Sequence, residues 1–206
     1  MGVCRGCAAP APPDPRYRRA LWVALIANVL MFAVEFVASF HADSASLLAD
    51  AVDFLGDAGN YTVALFVLTL APVWRSRSAL WKGWLMGGYG AGVLAWAGWR
   101  WLAHSAPEPV VMSAVSIAAL LVNLGVAVLL YSHRDGDAQA RSVWLCSRND
   151  ALGNLAVIAA AGGVWWSGAN WPDLLVALGL AGLALHSGRS VARAARAELA
   201  GHSADG

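Results

Sequence analysis

Six apolar runs of about 20 residues, joined by connections too short to hold a domain, restrict this chain to one kind of fold. They lie at about 19–40, 45–71, 80–103, 110–132, 142–166 and 172–195. At 1.5 Å of rise per residue, each run is long enough as a helix to cross roughly 30 Å of hydrocarbon. The connections read "HADSA", "APVWRSRS", "AHSAPEP", "YSHRDGDAQA" and "SGANWPD". The expectation is an all-α, polytopic membrane protein: a bundle of six transmembrane helices over residues 18–196. An N-terminal tail (1–17) and a short C-terminal tail (197–206) flank it. The charged share is 13%, about half that of a soluble domain, and 59% of residues are hydrophobic. A net charge of +1 gives no basic surface for nucleic acid.

Lys and Arg set the orientation, because cytoplasmic loops carry their excess. Arg5, Arg16, Arg18 and Arg19 precede the first run; Arg75, Arg77 and Lys82 flank the second connection. Arg134 and Arg141 flank the fourth connection, and Arg189, Arg193 and Arg196 follow the last run. The first, third and fifth connections hold neither residue, and Arg100 is the only basic residue near them. Both termini are therefore expected in the cytoplasm, with a bacterial inner membrane as the host. The start "MGVCRGCAAPAPPDPRYRR" lacks the apolar core of a signal peptide, and its Pro-rich part reads as a disordered linker.

The second run contradicts its own setting. "LLADAVDFLGDAGNY" (47–61) carries Asp50, Asp53 and Asp57. Each costs about 2.5–3.5 kcal/mol at a bilayer centre on the mildest scale. On a helix, Asp53 and Asp57 are i, i+4 neighbours, and Asp50 lies close to the azimuth of Asp57. Like charges so placed repel, and something positive must compensate: a metal, protons or both.

The fifth run supplies a second polar cluster, "VWLCSRNDALGN", in which Cys146 and Asp150 are i, i+4 and Asn154 continues the face. If the two helices touch, Asp53, Asp57, Cys146 and Asp150 could surround one ion. Oxygen and sulfur ligands in that number suit tetrahedral zinc, cadmium or cobalt, and not magnesium or calcium. Asp50 and Asn154 are secondary candidates; a helix-start or packing role serves Asp50 equally well. Cys146 alone would be an ordinary buried filler, and its spacing to Asp150 is what makes it a ligand candidate. Cys4 and Cys7 form a C-x2-C pair that suits a soft metal but lacks a second ligand pair. The five histidines are scattered near span ends and read as solvated interfacial residues.

With these residues in view, the chain resembles the cation diffusion facilitators, which export zinc and related divalent ions in exchange for protons. "NVLMFAVEFVASFHADSASLLADAVDFLGD", with Asn28, Glu35, Ser44 and the D-x3-D pair Asp53/Asp57, is similar to that family's first two helices. "LLVNLGVAVLL", with Asn123, resembles the fourth helix. "CSRNDALGNLAVIAAAGGVWWSGANWPDLLVALGLAGLAL" resembles helices five and six, including the Pro172-Asp173 start of helix six. The family's helix five usually carries H-x3-D, and here Cys146 holds the His position. The family usually adds a cytoplasmic metal-binding domain after helix six, and this chain is expected to lack it.

The resemblance implies alternating access with proton antiport. No resident cofactor is expected; the ion, Zn2+ before others, is cargo. Metal binding needs deprotonated ligands, so protons and metal compete for the same groups. The expected partners are the divalent ion, protons and the bilayer, with a homodimer as an open option and no nucleic acid. Enzyme chemistry is not expected, since no nucleophile–base pair or phosphate loop stands out. The rival reading is a metal-binding membrane protein that does not transport, an inactive paralogue or accessory subunit. The glycines of the third run (Gly83, Gly87, Gly88, Gly90, Gly92) predict close helix packing, within one chain or across a dimer.

Overall fold

The computed structural model describes residues 15–66, 72–103, 106–131 and 138–204. Within these, the side chains of 72–73, 75, 103, 138–149, 198 and 201–204 lie outside the description. Among the described residues there are six helices and no strand: α1 (Pro15–His41), α2 (Ala45–Phe66), α3 (Pro72–Ala103), α4 (Pro109–Tyr131), α5 (Ala138–Ser167) and α6 (Trp171–Ala204).

Proline marks most of the starts. Pro15, Pro72 and Pro109 open α1, α3 and α4, and Pro172 is the second residue of α6. A first-turn proline sacrifices no hydrogen bond, because those N–H groups have no intrahelical partner. This corrects the third span. Hydropathy places its start near 80, but the helix begins at Pro72, so "PVWRSRS" is helical rather than a connection. Ser78 donates back to the Trp74 carbonyl at 2.8 Å, and the Arg77 guanidinium lies 5.2 Å from the Trp74 ring. At the other end of the chain, α6 continues to Ala204, so the residues read as a short tail are mostly helical.

α2 is the central helix: it packs against α1, α3, α5 and α6. That position resolves the paradox of its carboxylates, which face protein and not lipid. α3 packs most extensively on α6, and α4 on α5. The outer surface is apolar; Ile26, Leu30 and Val34 on α1 and Ile117, Leu121 and Val128 on α4 are all exposed. Exposed apolar faces over such lengths fit a lipid surround. α1, α4 and the Trp171–Ala197 part of α6 are long and apolar enough to cross a membrane. Every 18-residue window of α2 contains Asp50, Asp53 and Asp57, which lowers its apolar character.

Glycine sets the α3–α6 contact. A Cβ on Gly83 would stand 2.8 Å from the Gly188 carbonyl oxygen, and one on Gly188 equally close to that of Gly83. Gly90 faces Leu185 and Ala181 in the same way. Gly83 and Gly90 pack closely within the chain, whereas Gly88 and Gly92 meet no described neighbour within 4 Å.

We call "upper" the end that carries the α1–α2, α3–α4 and α5–α6 connections. α1 ends there with Asp43 in the left-handed region (φ 54°), and the Ser44 N–H donates to the Ser39 carbonyl at 2.9 Å. This is a Schellman closure with Asp where glycine is commoner, a substitution that Asp tolerates. The connections then hold one another. The Glu108 N–H donates to the Ala42 carbonyl at 2.9 Å, and Asn170 Nδ2 to the Arg100 carbonyl at 3.0 Å. Arg100, buried, pairs with Asp43 at 3.1 Å.

Candidate metal centre

The start of α2 is organised by α6. Ser44 caps the helix: its Oγ accepts from the Leu47 N–H at 3.1 Å. Asp173, in the first turn of α6, takes up the remaining donors. Its carboxylate accepts from the Ala45 N–H (2.8 Å), the Ser46 N–H (3.1 Å), Ser44 Oγ (2.6 Å) and Ser46 Oγ (2.6 Å). The first three N–H groups of α2 are therefore satisfied, and a buried negative charge sits at the positive end of its macrodipole. The sequence reading missed this role for Asp173. Its local signal was "DSAS", a capping pattern that needed an acceptor from elsewhere.

Below that cap, the acids of α2 divide between two neighbours. Asp50, fully buried, faces Glu35 of α1. A Cβ on Gly153 of α5 would lie 3.6 Å from Asp50 Oδ1, so the absence of a side chain there leaves room beside the carboxylate. Two turns further along, Asp57 meets Asp150 of α5 at side-chain hydrogen-bonding range. Asp53, half-buried, lies between these pairs, within electrostatic range of both Glu35 and Asp150. Glu35 was noted in the sequence only through the resemblance; an acid within a strongly apolar run was the signal for it.

These carboxylates are poor in donors. Both Glu35 oxygens, Asp50 Oδ2 and Asp150 Oδ2 are buried without a hydrogen-bond partner among the described residues. Asp53 has no hydrogen-bond partner among the described residues. Asp57 accepts only long bonds, from Asn60 Nδ2 and Tyr61 OH, both at 3.4 Å. Asn154 is fully buried one turn after Asp150; its Nδ2 donates to the Asp150 carbonyl at 3.0 Å, and its Oδ1 has no partner. Buried acceptors in such number need a proton or a cation, because an unsatisfied buried polar group costs about 1–3 kcal/mol and a charged one more.

Among the described side chains, Lys82 is the basic group that reaches Asp57. Lys82 of α3 lays its stem over Gly59 of α2, with Cδ 3.7 Å from where a Cβ would stand. Its ammonium donates to Asn60 Oδ1 and attracts the Asp57 carboxylate. In the sequence, Lys82 served only as an orientation marker.

The four-ligand set expected from the sequence is brought together in part. Asp53, Asp57 and Asp150 share one region between α2 and α5. Cys146 lies on α5 one turn before Asp150, but its side chain is outside the described ones. Cys4 and Cys7 also lie outside the described residues. Among the described residues, no group of three or more His, Cys, Asp or Glu is gathered closely enough to hold a metal ion.

The sequence model of the cation efflux transmembrane domain matches residues 21–77 and 76–200, nearly the whole described helical region. No curated protein matches the chain.

Proposed function

Since the chain belongs to the cation efflux (cation diffusion facilitator) family of membrane transporters, we propose that its cargo is a divalent transition-metal ion of the zinc type. The ion binds between α2 and α5, and protons move in exchange. Asp53, Asp57, Cys146 and Asp150 are its ligands, with Asp50 and Asn154 as neighbours. Residues before α1 and after α6 face the cytoplasm of a bacterial inner membrane in this reading.

The observation that carries it is the meeting of Asp57 and Asp150 inside the bundle, across two helices, with almost no donor to either carboxylate. Two buried carboxylates without donors repel each other unless a cation or proton stands between them. Metal binding requires them ionised and expels protons; proton binding expels metal. Exchange of one for the other is then a direct consequence of shared ligands. Carboxylates with a thiolate from α5 suit zinc, cadmium or cobalt better than the hard cations.

Purified protein in liposomes loaded with a zinc-sensitive dye tests the proposal. Zinc flux should rise when a pH gradient of the correct direction is imposed and collapse when an ionophore dissipates it. Flux indifferent to the gradient would remove proton antiport; absence of any metal flux would remove transport.

A further inference from the structure

The Lys82 ammonium stands where a cation transporter would least be expected to keep a fixed positive charge. It is held there by three features. Its stem lies along Gly59, Asn60 Oδ1 accepts a hydrogen bond from its ammonium, and Asp57 attracts its charge. Asn60 Nδ2 also makes a long contact of 3.4 Å to Asp57 Oδ1, so Asn60 lies between Lys82 and Asp57. Asn60 and Lys82 lie on the side of the Asp57–Asp150 pair nearer the α2–α3 connection, because both lie between that connection and the pair. Among the described side chains, Lys82 is the cation acting on Asp57, and Asp57 in turn faces Asp150 and Asp53.

We propose that Lys82 is a tethered counter-cation of the metal site: it partly neutralises Asp57 when no metal is bound and opposes the incoming ion when one arrives. The inference rests on the α2–α5 site proposed above and adds a determinant of its affinity. A transporter must bind its ion strongly enough to load and weakly enough to release. Carboxylates and a thiolate in a dry interior bind divalent ions tightly, and a nearby ammonium weakens that binding by direct repulsion. At a partly screened separation of several ångströms, two units of charge against one are worth at least a kcal/mol or so, about tenfold in affinity. Asn60 stands between the ammonium and Asp57, its Oδ1 toward Lys82 and its Nδ2 toward Asp57.

Calorimetric titration of the purified, detergent-solubilised full chain with zinc chloride tests this. Five versions are compared: native, Lys82→Met, Lys82→Gln, Lys82→Arg and Asp57→Asn. Lys82→Met and Lys82→Gln should bind zinc about tenfold more tightly, and Lys82→Arg should stay near native. Zinc should also raise the melting temperature of the Met and Gln versions more than that of the native chain. Lys82→Gln keeps a donor for Asn60, so it separates charge from hydrogen bonding and stands in if Lys82→Met does not fold. Native affinity in the Gln version, or unchanged or weakened binding in both, would overturn the inference. A stem that merely packs predicts lower stability without tighter zinc binding, which would overturn it too. Asp57→Asn separates this from the site itself. If it loses zinc while Lys82→Gln binds as native does, the site stands and the role of Lys82 falls. If it binds zinc as native does, both fall.

Discussion

Asp173 and Asp150 are the same side chain, buried in the same bundle, and their surroundings are opposite. Asp173 collects four donors from the first turn of α2, two of them at 2.6 Å. Asp150 leaves Oδ2 with none among the described residues, and the side chain it meets, Asp57, is another acid. A carboxylate with a full set of donors is already compensated; adding a metal there would break bonds that hold two helices together. A carboxylate without donors is uncompensated and takes whatever positive charge can reach it. Donor accounting, more than burial or charge, separates the acid that ties these helices together from those of the proposed metal site.

The comparison breaks most readily at Asp173. Replacement by Ala leaves two N–H groups and two hydroxyls without their acceptor, at about 1–3 kcal/mol for each group that stays dry. We expect at least about 3 kcal/mol of lost stability, read as a large fall in the detergent melting temperature. A variant that melts like the native chain would place Asp173 with the cargo-facing acids. Asp57→Ala should do the reverse. Its two donors sit at 3.4 Å, beyond good hydrogen-bond length, so stability should fall by no more than about 1 kcal/mol. Zinc flux should fall by about 100-fold or more, and near-native flux would dismiss Asp57 as a ligand.

How much of this was legible in the sequence follows from what periodicity can and cannot carry. Run length and short connections gave six helices, and 3.6-residue spacing put Asp53 and Asp57 on one face. Neither says which helices touch. The Ser44–Asp173 bond joins residues 129 apart, and no local pattern predicts it. Lys82 lies 22 positions from Asn60 and reads in the sequence as a loop-flanking charge; only the α2–α3 packing brings it to the site. The start of α3 was misplaced because hydropathy finds where lipid begins, while proline and hydrogen bonding decide where a helix begins.

A third test extends the contrast along α3. Gly83 is pressed against the α6 backbone and Gly88 meets nothing. Gly83→Val should cost about 1–3 kcal/mol through overpacking, and Gly88→Val under about 0.5 kcal/mol. Equal melting temperatures for the two would mean that α3 meets its neighbours on another face. The smallest effect is expected at Cys146. Replacement by His should keep zinc flux and lower the cadmium-to-zinc preference by less than about tenfold, because cadmium gains more from a soft sulfur ligand. Replacement by Ala should weaken both fluxes; native affinity for both ions in that variant would show that Cys146 only fills space.

The bonds from Asp173 to the first turn of α2 also have a mechanical meaning. They fasten one end of a rod while the working groups lie well along it. Asp57 is 12 residues beyond Ala45, about 18 Å at the usual helical rise. Pivoting α2 by about 5° around that fastening would carry Asp57 sideways by roughly 1.6 Å. Metal–ligand bonds tolerate only about 0.2 Å of error. A pivot of that size at the Asp173 fastening would, at the far end of the lever, be enough to make or dismantle the coordination sphere proposed at Asp57.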